Sequence, residues 1–211
     1  MKVAFGLKAH SGWAALVVIG GADRADRIEL IDRRRVELVQ HDEAGWAKQP
    51  YHAAEHLTPP EARRLVQRGI DAALRNATTA MREAVARAER EGHSVSGCAV
   101  LMGKPMPAWT VDEILAVHFR MHKAEGVLFR DALAHAATMC KQRLVAIAEH
   151  ELQDHAARAL GIGASALEKK IAALGKPAGP PWGKDQKDAA LAAMVVLAGP
   201  PSTGREDTAR V

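Results

Sequence analysis

The carboxylates and imidazoles of this 211-residue sequence, the side chains able to hold a metal or move a proton, gather in a few places. Asp185 and Asp188 stand three apart where a helical stretch opens, so both project from one helix face. Glu149-His150-Glu151 follows one short apolar segment, and His10-Ser11 follows another. Together His10, Glu149, Asp185 and Asp188 form a donor set for a divalent ion. Imidazole combined with carboxylate suits zinc, manganese or iron better than magnesium. The same acids have an ordinary structural use. At an N-cap or in a first helical turn an acid favours the helix dipole, worth about 0.5–2 kcal/mol for a cap, and Glu151 could open a helix in the same way.

Other groups present weaker patterns. His118 and His122 are four apart, the spacing that lets two imidazoles reach one metal, but no glutamate follows His118 as in a zinc-protease helix. His52 and His56 repeat the spacing in a stretch without helical periodicity. For both pairs solvation or helix packing is the simpler reading. Arg33-Arg34-Arg35 is the densest basic run and would touch phosphates if its strand faced a nucleic acid. The competing reading is an edge strand protected from aggregation by charge. In Lys176-Pro-Ala-Gly-Pro-Pro-Trp-Gly-Lys184 the prolines stiffen a loop that could hold Trp182 and Lys184 for a base and a phosphate, or could plug a sheet edge. No P-loop or dinucleotide fingerprint occurs. Cys98 lies in an apolar segment and should be inert; Cys140 has no evident base.

The elements that must position these groups begin with strands. Val3, Phe5, Leu7 and Ala9 alternate with Ala4, Gly6, Lys8 and His10 at the period of a strand. A turn at His10-Ser11-Gly12 leads to a buried apolar strand over 13–19, and a turn at 20–23 leads to a strand over 28–40. That third strand is expected to place Ile28, Leu30, Val36 and Leu38 on one face. Residues 41–57 read as irregular. Thr58-Pro-Pro-Glu61 is a capping box opening a long helix that Gly92 ends. A strand over 96–102 follows, then a second capping box at Thr110-Val-Asp-Glu113. It opens a helix expected to continue to about Cys140. A strand over 143–148, helices over 151–160 and 164–174, and a buried closing helix over 184–197 complete the chain. Residues 1–198 are expected to form one domain and 199–211 a disordered polar tail.

The order β-β-β-α-β-α-β-α predicts an α/β protein with a mixed five-stranded sheet flanked by helices, and resembles the RNase H-like fold. Within that group the chain resembles the RuvC-type Holliday junction resolvases. The segment from Phe5-Gly-Leu-Lys-Ala-His-Ser-Gly-Trp to Ala14 is similar to their first strand and turn. Residues 122–136 are similar to their long crossover helix, and Asp185-Gln-Lys-Asp188-Ala-Ala-Leu-Ala192 to the Asp-x-x-Asp-Ala-x-x-Ala pattern of their closing helix. The resemblance implies a phosphodiester hydrolase with two magnesium ions held by acids of the first strand, the end of the fourth strand and the last helix. Here Lys8 stands at the first-strand aspartate position, and Leu101-Met-Gly-Lys104 ends the fourth strand without a carboxylate; only Asp185 and Asp188 match.

The expectation is therefore a resolvase-like chain without the standard acidic site, working by binding nucleic acid or a protein partner. Its contacts would come from Arg33, Arg34, Arg35, Trp182 and Lys184. The alternative is a nuclease with a rearranged site built of Lys8, His10, Glu149, Asp185 and Asp188, with magnesium or manganese on the last four. A third reading, phosphate binding by the His10-Ser11-Gly12 turn as in the actin-like ATPases, is disfavoured by Lys8 and by chain length. A net charge of +4 permits a nucleic-acid partner, while aromatic residues at 4% argue against a base-stacking platform. Two cysteines suit a reducing, cytoplasmic setting. No leader or bilayer-spanning run is expected, so no membrane partner; a second copy of the chain is a candidate partner.

Overall fold

The computed structural model describes residues 1–21 and 28–199. Strand β1 (Lys2–His10) pairs antiparallel with β2 (Trp13–Gly21), which pairs antiparallel with β3 (Ile28–Glu37). On its other side β1 runs parallel to β4 (Ser94–Met102), and β4 parallel to β5 (Leu144–Ala148). The sheet order is β3-β2-β1-β4-β5. This is the RNase H-like arrangement, an antiparallel meander continued by crossover strands. The turn expected at 20–23 and the tail expected from residue 199 lie largely outside the described residues.

Helices cover both faces. Short helices α1 (Ala44–Ala47) and α2 (Pro50–Ala54) precede α3 (Pro59–Arg90). Beyond β4 come α4 (Val111–Leu115) and α5 (His118–Met139), and beyond β5 come α6 (Leu152–Leu160), α7 (Ala164–Gly175) and α8 (Lys184–Ala198). The alternation in β1 assigns the two layers. Val3, Phe5, Leu7 and Ala9 join the core under α3 and α5, whereas Ala4 joins the core under α8. Helix α8 is buried all round from Asp188 to Val196. It rides directly on β1 because Gly6 has no side chain: a Cβ there would lie 1.7 Å from the Ala189 carbonyl oxygen. Among the described residues no helix is long and apolar enough to cross a membrane.

Both capping boxes form. The Thr58 and Thr110 amides donate to the side chains of Glu61 (3.2 Å) and Glu113 (2.7 Å). Four expectations need correction. Strand β3 carries a bulge at Ile31, since Val18 pairs with Asp32 but Ile19 with Leu30. The extra residue reverses the alternation, so Ile28 and Leu30 pack in the α8 layer and Ile31, Val36 and Leu38 in the α3 layer, not on one face. The helix opened by Thr110 stops at Leu115. Val117 is extended (φ −141°, ψ 111°), the Arg120 guanidinium donates to the Glu113 carbonyl at 2.8 Å, and a second helix starts at His118. Residues 41–57 are not irregular; they hold a 3₁₀ turn and two helices too short to print a 3.6-residue period. Gly183, not Asp185, is the N-cap of α8, its amide donating to the Gln186 side chain at 3.0 Å.

Candidate functional site

Period two in β1 puts Lys8 on the same face as Gly6, toward α8, and the close approach at Gly6 brings the first turns of α8 over it. Asp185 and Asp188, three apart on that helix, both point to the strand end. Glu149 enters from the end of the parallel strand β5, the side on which open α/β sheets collect their ligands. The Lys8 ammonium lies 2.7 Å from Asp188, 3.0 Å from Glu149 and 3.3 Å from Asp185. Lys8 is 6% exposed and Asp188 7%, while Glu149 and Asp185 reach solvent.

More groups close the ring. His10 Nε2 lies 3.0 Å from Asp185. Arg130 of α5 donates to Glu149 at 3.3 Å, its guanidinium filling the space beside Gly103, and Lys184 reaches Asp188 one turn along α8. Three fixed cations thus face three carboxylates. Burial alone would lower the Lys8 pKa; hydrogen bonds and charge from Asp188 and Glu149 outweigh it, and the net shift is upward from 10.5. The ammonium therefore stays charged throughout the neutral range.

All five residues expected to converge, Lys8, His10, Glu149, Asp185 and Asp188, do so. His150 and Glu151 pair with each other in solvent instead. Arg130 was not anticipated, because nothing in the helical pattern around it singles out that arginine. Nor was Trp13, whose ring stacks on His10 at 4.2 Å and carries the Arg35 guanidinium at 4.2 Å on it. The two-residue turn at Ser11-Gly12 makes His10 and Trp13 direct cross-strand partners, a signal present in the sequence.

The groups expected to touch nucleic acid are distributed differently. Arg33 donates to the carbonyls of Ala178 (2.8 Å) and Pro180 (3.0 Å) and to that of Pro181, tying β3 to the proline loop. Trp182 donates through Nε1 to the Ile171 carbonyl at 3.0 Å and rests on Gly175, so it plugs α7 rather than offering a free ring. Lys184 is paired with Asp188. Arg34 faces a groove of about 520 Å³ between β3 and α3 that also holds Arg87 and Arg90; Arg35 borders it, with its guanidinium on Trp13. A second cleft of about 440 Å³ shares Arg35, Glu37 and Gln40 with it and runs to Ser11, Gly12 and Lys48. Arg35, Trp13, His10 and Asp185 thereby connect the basic groove to Lys8. His118 and His122 lie 3.1 Å apart, joined not by His56 but by His52.

No family model matches the chain, and no curated protein does. Among solved structures it is similar to the Thermus thermophilus RuvC structure, with 15% identity, 92% of each chain covered and a TM-score of 0.47. It is also similar to T. thermophilus RuvC in complex with Holliday junction substrate, with 13% identity, 92% of this chain and 91% of that chain covered and a TM-score of 0.49.

Proposed function

We propose that this chain, folded as one domain over residues 1–198, binds nucleic acid through its basic groove. In this reading Lys8 serves as a built-in cation in place of the divalent ions that phosphodiester hydrolysis requires. The observation that carries the reading is the Lys8 ammonium within 3.3 Å of three carboxylates. Glu149, Asp185 and Asp188 have the oxygen chemistry for magnesium or manganese, but as arranged they do not fit one, because the ammonium holds the point at which such an ion would sit and Arg130 and Lys184 neutralise the remaining charge. Arg34, Arg35, Arg87 and Arg90 line the groove, against two acids, Glu37 and Glu83. The pairs of Arg35 with Glu37 and of Arg87 with Glu91 are exposed and weak enough for phosphates to displace, while Arg34 is held by the half-buried Asp32.

The test is titration of the full chain with a labelled four-way DNA junction and a plain duplex across 50–200 mM salt. Four phosphate contacts give a slope of about −3.6 in log affinity against log salt, roughly a hundredfold loss over that range. Replacing Arg87 and Arg90 by glutamine should reduce the slope by about 2. Absence of binding at 50 mM salt rejects the reading. A second reading, a metal-dependent nuclease, draws on the convergence of His10, Glu149, Asp185 and Asp188. Cleavage with magnesium or manganese that disappears in Asp188→Asn would replace the first reading with this one.

A further inference from the structure

At the other end of α5, a second cluster stands apart from Lys8. His118 and His122 occupy the first two turns of α5, and His52 projects onto them from α2. One ligand nitrogen from each lies within 4.8 Å of the others. The rings are 4.6–5.1 Å apart, centre to centre. Arg130, which contacts Glu149 of the first site, is eight residues further on, about 12 Å along the helix axis.

The outer contacts orient the rings. Glu125 is 4% exposed, and its carboxylate takes the His52 backbone amide at 3.1 Å and His52 Nδ1 at 2.7 Å. With Nδ1 donating to that carboxylate, His52 Nε2 is the lone-pair nitrogen. It is closed to solvent and has no hydrogen-bond partner. Glu55 lies 3.6 Å from His118 Nδ1, which leaves His118 Nε2 to meet His122 Nε2 at 3.1 Å. A buried carboxylate behind an imidazole whose far nitrogen is unpaired is the arrangement that tunes metal-bound histidines. Beyond His52, the ion pairs and hydrogen bonds described for Glu125 include no cation that would balance its charge.

We propose that His52, His118 and His122 hold one transition-metal cation of the zinc class through their Nε2 atoms, with Glu125 fixing the tautomer of His52. Three imidazoles without oxygen donors select zinc, cobalt, nickel or copper over magnesium. Metal–nitrogen bonds of about 2.0–2.1 Å put tetrahedral ligand nitrogens about 3.4 Å apart. The cluster reaches that spacing by small rotations of His118 and His122, both exposed. The fourth position opens to solvent on their side and takes water or a small anion. Bound metal would clamp α2 onto α5 where the chain restarts its helix after Val117.

The test uses the untagged full chain stripped with a chelator and titrated with Co²⁺ alone, followed by absorption, and with Zn²⁺ by calorimetry. We expect one equivalent of each, with the visible bands of a tetrahedral Co²⁺ centre. His118→Ala and His122→Ala alter exposed side chains and should each weaken binding at least a hundredfold with unchanged circular dichroism. Glu125→Gln should weaken it roughly 10–100-fold. Asp188→Asn should leave it unchanged, which separates this site from the one at Lys8. Failure of either metal to bind at one equivalent, equal affinity in both histidine variants and the parent, or loss in Asp188→Asn would each overturn the assignment.

Discussion

Replacing Lys8 by methionine removes a single charge and leaves three carboxylates facing one another at the end of β1. Removing one partner from a buried charge cluster costs about 3–5 kcal/mol. The lower end applies here, because the side chains of Glu149 and Asp185 keep 32% and 29% of their exposure and Arg130 and Lys184 remain in place. About 3 kcal/mol corresponds to a fall in Tm of roughly 6–12 °C for a chain of this size. Lys8→Asp should fall further, since it adds a fourth carboxylate, but it also completes an oxygen cage for magnesium. At a concentration a hundred times its Kd, magnesium would restore about 2.7 kcal/mol, or roughly 5–11 °C. Magnesium is the ion to use, because the three-histidine cluster offers it no oxygen. Scanning calorimetry of the parent, Lys8→Met and Lys8→Asp, each with and without magnesium, reads all these values. A parent protein stabilised by magnesium as strongly as Lys8→Asp, or a Lys8→Met variant with unchanged Tm, would refute the electrostatic reasoning.

Gly6→Ala should destabilise by about 3 kcal/mol, because the new methyl collides with the Ala189 carbonyl and must push α8 away; chemical denaturation measures it, and a neutral result would mean α8 does not depend on that contact. The Lys8 contribution should depend on pH in one direction. Its folded pKa is raised above 10.5, so the stabilisation is complete below that value and is lost as pH rises through the folded pKa. The Tm gap between the parent and Lys8→Met should therefore stay constant from pH 7 to 9.5 and narrow only at higher pH; narrowing already at pH 8 would contradict the shift. Arg33→Ala removes three bonds to the proline loop and should lower Tm while leaving the salt slope of DNA binding unchanged; a reduced slope would return Arg33 to the phosphate contacts. Burial pushes the Cys98 thiol up to about 12, with Cys140 adding to the effect, so a thiol reagent should label Cys98 only after unfolding.

The residues that were legible beforehand owe it to strict local periods. Lys8 shares a face with Gly6 because a strand alternates, and Asp185 joins Asp188 because helical neighbours lie three apart. The two capping boxes are short chemical statements that hold whatever packs around them. The mixed sheet, an antiparallel meander continued by crossover strands, followed from the sequence of elements, because such connections leave few alternatives. What stayed hidden depends on single residues or distant partners. A bulge at Ile31 leaves no mark in composition, yet it turns the hydrophobic set of β3 over. The five-residue helix carrying His52 is too short to show a period, so the meeting of His52 with His118 and His122 became visible only in three dimensions. Arg33 and Trp182 looked available for a ligand because a sequence does not reveal which carbonyl a guanidinium or an indole will find.

The central claim is that the Lys8 ammonium fills the position a catalytic cation would need. The most direct measurement is a cleavage assay on a labelled four-way junction with magnesium or manganese, comparing the parent chain with Lys8→Asp at protein concentrations that saturate the DNA. The expected result is binding without cleavage by the parent, with any metal-dependent cleavage confined to Lys8→Asp. Strand cleavage by the parent that requires the added metal and is abolished by Asp188→Asn would contradict it.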